Sequence, residues 1–175
     1  AYQFARENNL SLDNILKAHE ILTQSILIKK ERGKIRKVKV GIRSEGHLIY
    51  LAVEPEFIKQ ELEKLFADIS VLLTAKLTTE EIFYYAAYIH LVFVNIHPFV
   101  DGNGRTGRLL MNLILMQNDF PPANILMTER KKYIDSVEKA QLENNIDDFY
   151  KIILEAVDRS LDIYLEALEQ KIRYE

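Results

Sequence analysis

The sequence predicts an all-α fold, a bundle of about six to eight helices carrying one β-hairpin. Three observations lead there. Apolar residues recur at helical spacing along nearly the whole chain, a helix-start signal stands ahead of the longest apolar run, and a single segment breaks the 3.6-residue period.

Taken in order, Leu12, Ile15, Leu16, His19 and Leu22 mark an early amphipathic helix, with one face to bury. The exception follows it. "KVKVGIRSEGHLIYLAV", residues 37–53, is rich in Val and Ile and fits no helical period, and Ser44, Glu45 and Gly46 stand where a tight turn would sit. A lone hairpin is marginal in water, so it must lie against the bundle. Ile58, Leu62, Leu65, Ile69 and Leu72 mark a second helix. Thr78 with Glu81 three positions on forms a capping box that opens a third, running through "FYYAAYIHLVFVNI" to His97. Its near-continuous apolarity places it centrally. A fourth helix, from about Gly104 to Asn118, is stopped by Pro121 and Pro122. A fifth follows Thr128, and the last runs from about Asp147 to Lys171 with Ile153, Val157, Leu161, Tyr164 and Leu168 on one side.

At 175 residues and 48% hydrophobic content, residues 1–175 are expected to form one domain with a real core. No repeat, low-complexity tract or linker divides them. A formal charge of −3 lacks the basic excess of a nucleic-acid binder, so no nucleic-acid partner is expected. The run Tyr84 to Ile96 falls short of the ~20 residues that span a bilayer, so no membrane partner is expected either. The chain has no cysteine, which excludes disulfides and thiolate zinc and fits a reducing, cytoplasmic setting. No signal peptide is visible. The chain opens with Ala1 rather than Met, so a longer natural protein is expected.

The chemistry concentrates in "NIHPFVDGNGRTGRLLMN", Asn95 to Asn112. A helix beginning at Gly104 offers unpaired N–H groups and a positive dipole end, and Gly102 and Gly104 let a ligand approach the backbone. Arg105 and Arg108, three apart, would clamp phosphate oxygens from one side of the first turn. Two guanidinium groups suit a di- or triphosphate better than one phosphate. Asp101 supplies a hard carboxylate where Mg2+ could bridge protein and phosphate, and His97 supplies a base with a reference pKa of ~6.5. Taken singly, each has a bland explanation: a histidine capping a helix, an aspartate in a turn, a glycine loop at a solvated helix start. Their conjunction points to a phosphoryl-type transfer site.

"HPFVDGNGRTGR" matches the Fic family pattern HxFx(D/E)GNGRxxR at His97, Phe99, Asp101, Gly102, Asn103, Gly104, Arg105 and Arg108. "GKIRKVKVGI" looks like the segment entering that family's flap hairpin. "RKKYIDSVEKA" and "IDDFYKIILEAV" resemble its closing helices. The resemblance covers most of the chain and implies a Fic-type helical bundle with a flap at 37–53. The implied activity is a nucleotidyltransferase that moves AMP from ATP to a Ser, Thr or Tyr hydroxyl of a target protein. By matching position, His97 would take the hydroxyl's proton, and Asp101 would hold Mg2+ against the α- and β-phosphates. Asn103 and the Gly102 and Gly104 backbone would line the anion hole, Arg105 and Arg108 would hold the β- and γ-phosphates, and Phe99 would anchor the loop in the core. In the family's phosphorylating Doc branch a lysine stands where this chain has Gly104, which favours AMP transfer here.

The hairpin either covers a core edge or, as the resemblance implies, pairs its exposed edge with the target's main chain. The basic run "KKERGKIRKVK" before it is read as a solvated approach, without site residues. Fic proteins often carry an inhibitory helix of pattern (S/T)xxxE(G/N). The best candidate, within residues 1–9, is Glu7 followed by Asn8, although Gln3 replaces the hydroxyl residue; Glu143 and Asn144 compete, with Lys139 at that position. Tyr133 is a candidate for reaching the nucleotide base. His90 reads as a core residue, and His19 and His47 belong to no constellation. Two functions stay open: an AMPylator, able also to remove AMP, and a nucleotide-binding regulatory or interaction module. The target and the oligomeric state, a homodimer included, are not legible.

Overall fold

Apolar runs at helical spacing become helices, in the order α1 (Tyr2–Glu7), α2 (Leu12–Leu22), β1 (Gly41–Ser44), β2 (His47–Leu51), α3 (Ile58–Leu72), α4 (Thr79–Ile96), α5 (Asn103–Gln117), a 3-10 turn (Met127–Glu129), α6 (Arg130–Glu143) and α7 (Asp147–Tyr174). The structure, a computed structural model, describes residues 2–7, 9–44 and 47–174. The all-α class with one hairpin is present, with seven α-helices and one two-stranded antiparallel sheet among the described residues.

α4 is the central helix, packed against α3, α5, α6 and α7. Thr78 starts it as expected: its Oγ1 accepts from the Glu81 N–H at 3.3 Å, while the Glu81 carboxylate accepts from the Thr78 N–H at 2.8 Å. Ile82, Phe83, Ala86, Ala87, Ile89, His90, Phe93 and Ile96 are buried, which accounts for the unbroken apolar run. The helix stops at Ile96 because Pro98 has no N–H to give the Val94 carbonyl and disfavours helical geometry in the residue before it. His97 accordingly turns left-handed, with φ 51°. Phe99 then drops into the core, fully buried, against Phe93 and flat on the His19 ring, whose centroid lies 3.6 Å away. The chain re-enters helix one residue earlier than the sequence suggests, at Asn103 with Gly102 as N-cap.

The hairpin pairs Gly41 with Leu51, Ile42 with Tyr50, Arg43 with Leu48 and Ser44 with His47, with a register shift between Ile42 and Arg43. Ladder pairing is thus shorter than the expected 37–53. Beyond the ladder the Ala52 N–H still donates to the Val40 carbonyl, while the carbonyls of Val38 and Val53 accept from a buried guanidinium, that of Arg36. Glu45 and Gly46, the expected turn residues, lie outside the described residues, as do Asn8 and the side chain of His47. The hairpin lies against the bundle through Tyr50, whose hydroxyl donates to the Val94 carbonyl at 3.2 Å and accepts from Gln141 of α6 at 3.1 Å. Burial pushes that phenol up to about 12. Among the described residues no helix is long and apolar enough to cross a membrane.

Candidate active site

The loop between α4 and α5 is shaped before any ligand arrives. Asn103 closes it with its own amide: Oδ1 accepts from the Phe99 N–H and Nδ2 donates to the Phe99 carbonyl, both at 2.9 Å. The Asp101 carboxylate accepts from the Gly102 N–H at 2.6 Å. Thr106 N–H to Gly102 carbonyl, at 3.0 Å, is the first bond of the new helix, so the N–H groups of residues 103–105 precede it at the positive end of the dipole.

A cleft of about 590 Å3 opens over this helix start, lined by His97, Val100, Asp101, Gly102, Asn103, Gly104, Arg105, Arg108, Ile125, Leu126, Met127, Arg130, Tyr133 and Ile134. It gathers every sequence-predicted site residue except Glu7. Among the described residues Arg105, Arg108 and Arg130 make no ion pair, so three cations face one carboxylate in the same cleft. That balance attracts an anion of high charge. Residues Ile125, Leu126, Met127 and Ile134 form an apolar wall beside it, suited to a flat ring.

The two glycines serve different ends. Gly102 has φ 83°, and a Cβ there would lie 2.9 Å from Thr23 Cγ2 and 3.0 Å from His19 Nε2, so the fold itself requires it. Gly104 has no such constraint: a Cβ would meet nothing nearer than Arg108 Nη1 at 3.5 Å and the Tyr133 hydroxyl at 3.9 Å. Its missing side chain keeps the cleft floor open. Gly104→Ala is therefore expected to raise stability by roughly 0.5–1 kcal/mol. It should also weaken ATP binding by roughly 5- to 150-fold, the cost of overfilling a packed site. Thermal unfolding and calorimetry on the same sample check the opposed signs, and parallel losses would show that Gly104 is structural.

His97 stands half-buried at the mouth. Burial, assisted by the Arg36 charge, lowers its pKa, against an opposing pull from Asp101. The Val94 carbonyl also pulls upward, but among the described residues Nδ1 is buried without a hydrogen-bond partner, and that carbonyl already accepts from Tyr50. The imidazole is thus neutral at neutral pH, with Nε2 as the nitrogen available to a substrate.

Tyr133 is nearly buried on the cleft wall. Its hydroxyl accepts from Arg108 Nη1 at 3.2 Å and lies 2.9 Å from His90 Nε2, and the Arg108 guanidinium sits 5.4 Å from its ring centre. The phenol oxygen thus bridges Arg108 and His90. His90 is fully buried and held neutral, its pKa lowered to about 3 by burial and by the Arg108 charge. His90 is a core residue, as expected, and it also aligns the phenol that aligns Arg108. Glu7 ends α1, exposed, with its carboxylate accepting from Gln3 Nε2 at 3.0 Å.

Two further groups were not legible in the sequence. His19 of α2, assigned to no constellation, is fully buried beneath the loop: its Nδ1 accepts from the Gly33 N–H at 2.9 Å, so Nε2 carries the proton that it gives to the Asp101 carbonyl at 2.9 Å. Both ring nitrogens are satisfied, and burial keeps the ring neutral. Arg130 enters the cleft from α6, and only the "RKKY" context around Tyr133 hinted at it.

The profile of the Fic/DOC family matches residues 9–115 of this chain. The protein adenylyltransferase Fic of Drosophila persimilis is 47% identical over 83 residues, a segment that is 47% of this chain and 16% of that protein. That of Aedes aegypti is 46% identical over 86 residues, 49% of this chain and 17% of that protein. Among solved structures, C. elegans Fic-1 superposes with a TM-score of 0.78 at 28% identity, covering 97% of this chain and 47% of that one. BepC of Bartonella tribocorum, solved with bound AMPPNP, shares the fold at 16% identity and a TM-score of 0.68, over 89% of this chain and 80% of that one. The matched segment is thus about a sixth of the length of these curated relatives, and the chain spans about half of the nematode one.

Proposed function

The chain belongs to the Fic/DOC family, and from that premise we propose that it transfers AMP from ATP to a Ser, Thr or Tyr hydroxyl of a target protein. One observation carries the reading: a base, a carboxylate and three guanidinium groups line a single cleft over the start of α5. Relatives named protein adenylyltransferase and a nucleotide-bound protein of the same fold support it.

In this reading the polyphosphate lies along the first turn of α5. The open N–H groups of residues 103–105 face its oxygens, and Arg105 and Arg108 hold the β- and γ-phosphates. Such preorganised dipoles and cations stabilise charge as it develops. The base rests on the apolar wall, with Tyr133 at its edge. His97 Nε2 removes the proton of the target hydroxyl while that oxygen bonds to the α-phosphorus. The bond to the bridging oxygen breaks, and pyrophosphate leaves.

Asp101 suits Mg2+ shared with the substrate. Among the described residues no three carboxylate or imidazole groups gather into a protein cage, whereas Asp101 keeps one oxygen outside its bond to Gly102 and stands beside the anion site. When bound there, the ion would neutralise phosphate charge.

Candidate targets incubated with α-labelled or γ-labelled ATP test the proposal. Label from the α-phosphate alone is the expected result. Label from γ would mean phosphorylation, and no label from either would favour a nucleotide-binding module. Glu7 acts as a blocker only by exchanging Gln3 for Arg108, with which it makes no ion pair among the described residues. Glu7→Gly then increases AMP incorporation, and unchanged incorporation retires that assignment.

A further inference from the structure

Arg36 lies in the basic run that reads as a solvated approach to the hairpin, yet it is 3% exposed. Among the described residues no carboxylate pairs with it; the nearby Glu54 is bonded instead to Lys39 at 3.0 Å. Burying an unpaired guanidinium is costly unless its donors find acceptors. They find only backbone carbonyls. Nε donates to His97 at 2.7 Å, Nη1 to Val38 at 2.6 Å, and Nη2 to Val53 at 2.6 Å and Ile96 at 3.4 Å. The Arg36 N–H adds the Pro98 carbonyl at 2.9 Å.

These acceptors belong to two structures that the reaction must hold in register. The carbonyls of Ile96 and His97 are among the orphans at the negative end of α4, where a cation is favoured, and that of Pro98 follows directly. They also flank His97, whose left-handed backbone is unfavourable for a non-glycine residue and persists only where its surroundings impose it. Val38 and Val53 are the incoming and outgoing legs of the hairpin. One planar fork therefore spans both legs and the backbone of the imidazole-bearing residue.

We propose that Arg36 is a positioning residue for the transfer, fixing the hairpin, and any main chain docked on it, at a set distance from the His97 ring. The inference rests on the AMP-transfer reading for its consequence. Its structural content can be read without any transfer. Lysine keeps the charge but replaces the five-donor fork with a point donor that cannot span four carbonyls.

In Arg36→Lys, hydrogen exchange should show strands β1 and β2 and the amides of His97 and Phe99 losing protection together. Amides of α5 and the affinity for Mg·ATP should stay within about twofold of wild type. With a protein target, kcat should fall about tenfold or more at unchanged KM for ATP. Protection lost in only one of the two segments, or wild-type kcat for the target, would overturn the proposal. Arg36→Gln, which keeps two N–H donors, serves if lysine unfolds the domain. In the wild type the Arg36 Nε–H should exchange slowly, and fast exchange there would also overturn it. Should the wild type transfer no α-label, the functional reading fails while the exchange results still decide the coupling.

Discussion

His97→Ala is expected to abolish AMP transfer, lowering kcat about 10²- to 10⁴-fold, the usual range for losing a positioned general base. Affinity for ATP should change little, because the phosphate-binding groups sit on α5 and not on the ring. The same assignment fixes a pH dependence. His97 must be neutral to accept a proton, and burial holds its pKa below the ordinary 6.5. The wild-type rate should therefore persist as pH falls to 6.5 and decline only below it, as the ring protonates. A rate already halved at pH 7, or a His97→Ala variant with unchanged kcat, would remove the histidine from the chemistry.

Arg108→Ala is expected to act through binding. A charge-assisted hydrogen bond is worth roughly 1.5–3 kcal/mol, so the loss should weaken Mg·ATP by about 10- to 150-fold. AMP, which lacks the β- and γ-phosphates, should bind the variant nearly as before. Tyr133→Phe offers a graded comparison. It keeps the ring but removes the oxygen that accepts from Arg108 at 3.2 Å, so the guanidinium stays in the cleft unaligned. Its effect on ATP should have the same sign and be smaller. Titrations of ATP, ADP and AMP into both variants make the check, and equal weakening of ATP and AMP would place Arg108 away from the outer phosphates.

The family and its motif were legible because twelve consecutive residues, His97 to Arg108, carry the base, the carboxylate, three glycines and two arginines. Local sequence also marked the helices, since capping at Thr78 and the stop ahead of Pro121 and Pro122 depend on neighbours only. What stayed hidden depends on distance along the chain. His19 lies 82 residues from the carbonyl it supports, and Arg36 lies 61 from the carbonyl of His97. Neither separation leaves a pattern, and Arg36 is further disguised by Lys34 and Lys37 beside it. The outer ends of the hairpin stayed hidden for the same reason, because Val38 and Val53 give their carbonyls to that arginine instead of to strand N–H groups. His90, read as a core residue, and Tyr133, a candidate for the nucleotide base, looked unrelated until the fold joined them to Arg108.

Calorimetric titration of a non-hydrolysable ATP analogue, with and without Mg2+, tests most directly whether polyphosphate settles at the start of α5. One saturable site per chain is predicted, tightened by Mg2+ and weakened by Arg108→Ala. A folded protein that takes up no analogue even as Glu7→Gly, or that binds it equally well without Arg108, would contradict the account.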